Sequence, residues 1–320
     1  MLGERFSRRS LFGAIGGMLA VAATVPAWAS VGACGVAPEP DPIDHPTGTD
    51  ELVLRIAVSG GFVPPQVAIS EVPQLSLYGD GRAITTGPVI DIFPTPALPN
   101  LRQIRLTEAG VQQVLAAARE AGLLDGDKSY ANTTVADAPT TTFTANAGGK
   151  TTTVTAYALG FDADPTWSAE ESEAIAKLQA FAGSAIDLAS RVDPANVVSG
   201  DEAYPTDRLQ IVAQPIDPSL ATPEPNDPTQ NQPPMDWPLA TPLTEATPIT
   251  DLLGADQDFR CGVIAGQDAA TIVQAALKAN VLTPWVSEDA RYLVTFRPLL
   301  PDETGCPPRP AETAATPLAS

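Results

Sequence analysis

The chain has 320 residues and a formal charge of −20, with 38 Asp and Glu against 18 Lys and Arg. That balance excludes nucleic acid as a general partner and a basic patch on anionic lipid, because Lys and Arg make both contacts. One histidine and three cysteines exclude most transition-metal sites and most Ser-His or Cys-His catalysis, while 44% hydrophobic residues suffice for a core.

Residues 1–33 read as an export signal. Arg5, Arg8 and Arg9 form a positive head, and an uncharged, mildly apolar stretch runs from Gly13 to Ala29. Gly16, Gly17 and Pro26 break that stretch, which is too short to span a membrane. Within the head, Ser7-Arg8-Arg9-Ser10-Leu11-Phe12 resembles the twin-arginine consensus with its last two residues in reversed order. Arg8 and Arg9 are the expected export determinants, and a Sec signal with adjacent arginines is the alternative. The twin-arginine route takes folded cargo with or without a cofactor, and no cofactor is expected.

Two processing sites follow. Ala27-Trp28-Ala29 fits ordinary signal peptidase, whereas Val31-Gly32-Ala33-Cys34 resembles a bacterial lipobox. Cys34 comes directly after the apolar run, and residues 34–50 are rich in Pro and Asp, as a tether would be. The expectation is a lipid on Cys34 that holds the protein on the extracytoplasmic face of the cell membrane. Secretion after cleavage behind Ala29 is the alternative. With Cys34 acylated, Cys261 and Cys306 are left to pair in an oxidising compartment. Their bridge would contribute roughly 4 kcal/mol by chain entropy.

The first folded region spans residues 51–192. Leu52, Leu54, Ile56 and Val58 alternate with Val53, Arg55 and Ala57, which predicts a strand with one strongly buried face, ended by Gly60-Gly61 and Pro64-Pro65. Leu75–Tyr78 and Arg82–Thr85 flank Gly79-Asp80-Gly81 and predict a hairpin. A proline-punctuated loop runs from Pro88 to Pro99. Thr107 to Ala121 then reads as a helix, capped by Thr107 and stopped at Gly122, with Val111, Val114, Leu115 and Ala118 on one face. A second hairpin is expected from Thr141 to Leu159, turning at Gly148-Gly149. Ser168-Ala169-Glu170-Glu171 is a capping box opening a helix whose Ile175, Leu178, Phe181, Ala185 and Ile186 share a face.

Residues 193–306 form the second region. Leu209–Ala213 reads as a strand, residues 215–248 as a proline-rich insertion that Trp237 could pin to the core, and Ala269–Ala279 as a helix. Arg291–Phe296 reads as a last strand, and residues 307–320 as a disordered tail. Hairpins outnumber βαβ units. The expected fold is therefore α+β: mainly antiparallel sheets with helices packed on one side, in two subdomains.

Chemistry is sparse. His45, the single imidazole, lies in the expected tether, where nothing would hold a general base in place. Asp162 with Asp164, and Asp125 with Asp127 and Asp137, lack the ligand spacing of a calcium loop, so no metal site is expected. Glycoside hydrolysis needs two carboxylates flanking a sugar. Glu202, Asp302 and Glu303, with Trp167 or Trp285 as a stacking platform, are the residues that could be nominated, but solvated surface acids and core tryptophans are the preferred reading.

Two stretches, Gly61-Phe62-Val63-Pro64-Pro65 through Leu77-Tyr78-Gly79-Asp80-Gly81-Arg82, and Arg297-Pro298-Leu299-Leu300-Pro301-Asp302-Glu303, are similar to segments of uncharacterised bacterial secreted lipoproteins. The resemblance carries no activity and no site residues. The expectation is an exported, membrane-anchored lipoprotein with a binding or structural role and a protein or envelope partner of unknown identity. A carboxylate-dependent hydrolase of envelope glycan is the alternative.

Overall fold

The computed structural model describes residues 41–185, 187–216, 231–249 and 258–306, the side chain of Gln66 excepted. Arg8, Arg9, Cys34, Ile186 and residues 307–320 lie outside the described residues. A compact unit begins at Pro42. It runs through β1 (Leu52–Gly60), α1 (Pro65–Ser70), β2 (Leu75–Tyr78), β3 (Arg82–Thr86), β4 (Leu101–Leu106), α2 (Glu108–Glu120), β5 (Lys128–Tyr130), β6 (Pro139–Ala147) and β7 (Lys150–Tyr157). Next come α3 (Ala169–Ala185), α4 (Leu188–Arg191), β8 (Val197–Ala203), β9 (Arg208–Pro215), β10 (Met235–Asp236) and β11 (Thr247–Ile249). The last elements are β12 (Phe259–Ala265), α5 (Gly266–Ala276), β13 (Pro284–Ser287) and β14 (Ala290–Pro298).

The strands form two sheets, one of eight in the order β5-β7-β6-β1-β2-β3-β4-β8 and one of six in the order β10-β13-β14-β9-β12-β11. Pairing is antiparallel except for β5 with β7 and β10 with β13. The fold is α+β, with a subdomain built on each sheet.

Local signals explain most elements. Thr107 caps α2 by accepting the Gly110 amide through its hydroxyl at 3.2 Å. The capping box at α3 is reciprocal: the Glu171 amide donates to Ser168 Oγ and the Ser168 amide to Glu171 Oε2. Both helices lie over one face of the first sheet. Val111, Val114 and Leu115 of α2 and Ile175, Leu178 and Phe181 of α3 share a core with Leu54, Ile56, Leu75, Leu77 and Phe143. The second sheet has its own core, where Leu209, Ile211, Trp285 and Phe296 meet Ile272 and Ala276 of α5 and the side chain of Trp237.

Several elements depart from the sequence reading. β1 ends at Gly60 as expected, but Pro65 also opens the unexpected α1, because the first helical position needs no backbone N–H. The strands β4, β5, β12 and β13 are not among the elements expected from the sequence. Arg55 is buried as well as its apolar neighbours, so β1 has two covered faces rather than one. A bulge between Leu52 and Leu54 further places Val53 and Leu54 in the same core. Val197–Ala203, expected in the second region, pairs with β4 and forms an edge of the first sheet.

The expected tether is also shorter than residues 34–50. Ile43 is buried in the first core, its amide donates to Gln112 Oε1 at 2.7 Å, and Gln112 Nε2 donates back to its carbonyl. His45 is held firmly, against expectation, by Pro46 O at 2.6 Å on Nδ1 and Glu108 Oε1 at 3.0 Å on Nε2. The Gly148 amide donates to Asp44 O. Residues 42–50 are thus a strap laid across α2 and the tips of two hairpins.

Candidate functional site

The densest group of chemically active side chains lies where the two sheets meet. Side chains alternate along a strand, so Arg55 leaves β1 on the face away from α2 and α3. Its register partner on β2 is Ser76, and Tyr78 points the same way two residues on. Arg55 Nε donates to Ser76 Oγ at 3.0 Å, and Nη2 donates to Tyr78 Oη at 3.1 Å and to Asp302 Oδ1 at 2.7 Å. Tyr78 Oη donates to the same carboxylate oxygen at 2.7 Å.

Asp302 arrives from the other subdomain. After β14 the chain turns back at residues 299–303, with the Leu299 amide donating to Arg208 O and its carbonyl accepting from Tyr204 Oη. Leu300 then sinks among Tyr78, Ile84 and Leu101 on the outer face of the first sheet. A second ion pair fixes the turn. Arg297 Nη1 and Nη2 grip Glu303 Oε2 and Oε1 at 2.7 and 2.8 Å, a two-pronged geometry suited to guanidinium. The Leu300 amide also donates to Glu303, and Arg297 Nε donates to the carbonyl of Glu71 at 2.9 Å.

The electrostatics follow from burial and pairing. Burial opposes the charge on Arg55, but the hydrogen bond and charge of Asp302 outweigh it and raise its pKa. Burial likewise opposes ionisation of Glu303, and the Arg297 hydrogen bonds still leave it below the usual carboxylate range. Burial pushes the Tyr78 hydroxyl up, so it is a neutral donor at any ordinary pH. Glu71 differs: its half-buried carboxyl is raised to about 7 by burial alone. Among the described residues that carboxyl has no hydrogen-bond or ion-pair partner.

Both carboxylates of this arrangement are engaged in ion pairs within the fold. Asp302 and Glu303 are adjacent on one turn and each is taken up by a guanidinium, so they do not flank a sugar-binding cleft. Glu202 lies exposed on β8, opposite Gln103. Trp285 is fully buried in the second core, as the core reading expects and as a stacking platform could not be, and Trp167 is half-buried with Nε1 donating to Ala131 O. The acidic pairs are occupied too. Asp164 accepts from the amides and hydroxyls of both Thr133 and Thr166, which lowers its pKa, while Asp125 pairs with Lys128. Among the described residues, no group of three or more His, Cys, Asp or Glu could hold a metal ion.

Cys261 and Cys306 are joined, with Cα atoms 6.0 Å apart. They pack with Phe259, Val212 and Ile249, and with Ile69 from α1, so the bridge sits beside another contact between the subdomains. A concavity of about 790 Å³ lies between the end of α2 and the start of α3, lined by Arg119, Lys128, Tyr130, Glu171 and Lys177. Lys128 and Lys177 there are paired with Asp125 and Glu173.

Sequence reasoning missed the joint, although it left a trace. Arg55 interrupts an otherwise apolar alternation, and the two stretches that carry the lipoprotein resemblance supply Tyr78 on one side and Arg297, Asp302 and Glu303 on the other. No protein-family model, curated protein or solved structure matches the chain.

Proposed function

We propose that this chain is an exported lipoprotein, anchored through Cys34 to the extracytoplasmic face of the cell membrane, where it has a binding or structural role toward an envelope partner. The observation that carries the reading is the order of the N-terminal signals: twin arginines, an apolar run, a lipobox-like Val31-Gly32-Ala33-Cys34, and a compact body starting eight residues later at Pro42. Eight residues reach at most about 28 Å, so an acylated Cys34 keeps the body close to the bilayer. The binding role is supported by the joint, where two of the three acids nominated for hydrolysis, Asp302 and Glu303, are committed to Arg55 and Arg297. Tertiary ion pairing of this kind stiffens a scaffold; it does not leave a base free to work.

The test is mass spectrometry of the mature protein recovered from its own envelope. An N-terminal Cys34 carrying two or three acyl chains is expected, since a single chain anchors only marginally. A mature chain beginning at Ser30 with an unmodified Cys34 would overturn the anchor and leave a secreted protein.

A further inference from the structure

Among the described residues, four of the twelve exposed large apolar side chains fall in one loop. Between β3 and β4 the sequence Pro88-Val89-Ile90-Asp91-Ile92-Phe93-Pro94 places Val89, Ile90, Ile92 and Phe93 at the surface, each between 51 and 68% exposed. Four such residues in five positions far exceed the scattered apolar exposure that every protein shows.

The loop is braced at both feet. On one side the Gly87 amide donates to Asn100 O at 2.7 Å, and Asn100 Nδ2 donates to Pro88 O at 2.9 Å. On the other, the Val281 amide donates to Thr95 O at 3.0 Å and the Ala97 amide to Ala279 O at 3.2 Å, with Ala97 buried in the second core. The apolar tip is therefore held between the subdomains by the scaffold. Positioning an irregular segment on a rigid frame is how binding loops keep their ordering cost low. Exposed Val281, at the second foot, extends the apolar surface.

Asp91, at the centre of the tip, selects among occupants. It is exposed and makes no ion pair among the described residues. A carboxylate in the middle of the apolar segment is costly to place in hydrocarbon, and a chain of charge −20 is repelled by anionic headgroups. A second copy carries the same charge of −20, and a two-fold contact centred on the tip would set Asp91 against its own counterpart. What fits is a protein surface of opposite character.

We infer that residues 88–94 are a docking loop for a partner protein with an apolar groove and a lysine or arginine placed to meet Asp91. This rests on the binding role proposed above and names the chemistry of its partner. The four apolar side chains would supply the buried centre of the contact and Asp91 its orientation and charge specificity.

The experiment uses the full chain in its own cells, with benzoylphenylalanine replacing Val89 and ultraviolet crosslinking. One protein adduct is expected, and its contact peptide should contain a lysine or arginine. The yield should fall roughly tenfold or more with Ile90→Ser plus Phe93→Ser, and likewise with Asp91→Lys. All three substitutions are on the surface, and unchanged melting of the purified variants shows that the fold is kept. An adduct that Asp91→Lys leaves intact overturns the inference, as does a phospholipid adduct, a dimer of the chain, or no adduct. Fractionation of the same cells separates the two readings. A chain in the envelope without the adduct defeats the docking loop alone, and a chain absent from the envelope defeats the lipoprotein reading whatever the adduct shows.

Discussion

Replacing Glu71 with glutamine probes the joint through pH. Glu71 closes α1, its carbonyl accepts from Arg297, and its carboxyl is partly buried without a counter-charge. Burial raises that carboxyl to about 7. The folded state then holds the proton more tightly than the unfolded state does. The stabilisation is fully present below the unfolded value near 4.5, declines as the pH rises, and is lost above about 7. At about 1.36 kcal/mol per pH unit, such a shift is worth at most about 3 kcal/mol. The carboxyl is only half-buried, so solvent screening reduces this to about 1–2 kcal/mol. The glutamine side chain is neutral throughout and keeps the shape of the protonated acid. Urea unfolding at intervals from pH 4.5 to 8.5 should show the two proteins equally stable at the acid end. The Glu71→Gln variant should pull ahead by about 1–2 kcal/mol at pH 8, or about 2–6 °C in melting temperature. Taking the difference between the two proteins cancels every other titrating group. A difference that does not change with pH, or a variant weaker than the parent at pH 8, would refute the account of Glu71.

Other predictions concern the strap, the bridge and export. Gly79→Ala places a Cβ 2.5 Å from the Thr47 carbonyl carbon, where the strap crosses the β2–β3 turn, and should release residues 42–50 to protease while the sheets remain folded. If the strap stays protected, it is held elsewhere. Cys261→Ser should cost up to about 4 kcal/mol and lower the melting temperature of the oxidised protein, and reductant should act equally on the parent. A parent whose melting ignores reductant would show that the cysteines contribute only by packing. Arg8→Lys with Arg9→Lys preserves the charge but removes the guanidinium geometry, and should block export in a surface-display assay. Normal display of the double variant would assign the chain to the Sec route.

What the sequence disclosed is decided by the range of each interaction. Thr107 and the Ser168-to-Glu171 box announce their helices because a cap is made by residues three apart. Glycines mark both hairpin turns for the same reason. The joint depends on residues at opposite ends of the chain: Arg55 and Tyr78 meet Asp302 only after both sheets exist, and no local pattern records that meeting. His45 illustrates the same limit, since a Pro- and Asp-rich segment reads as linker until Gln112 and Glu108 on α2 are seen to hold it. Trp285 is open to two readings in the sequence because an aromatic side chain serves a core and a sugar platform equally well. Packing against Trp237 and Phe296, with ring centroids 5.9 and 5.4 Å away, decides for the core.

The pairing of Arg55 with Asp302 spans 247 residues, and this orders events in time. A ribosome makes β1 well before the turn at residues 299–303. Until then the outer face of the first sheet has a guanidinium without its carboxylate and a gap where Leu300 belongs. A channel that threads the chain N-terminus first would therefore deliver an unfinished sheet to the far side, exposed to proteases until residues 299–303 followed. A route that moves the finished fold carries both halves of the pair at once. Without residue 302, Arg55 keeps Ser76 and Tyr78 but loses its counter-charge, a costly state for a guanidinium this buried.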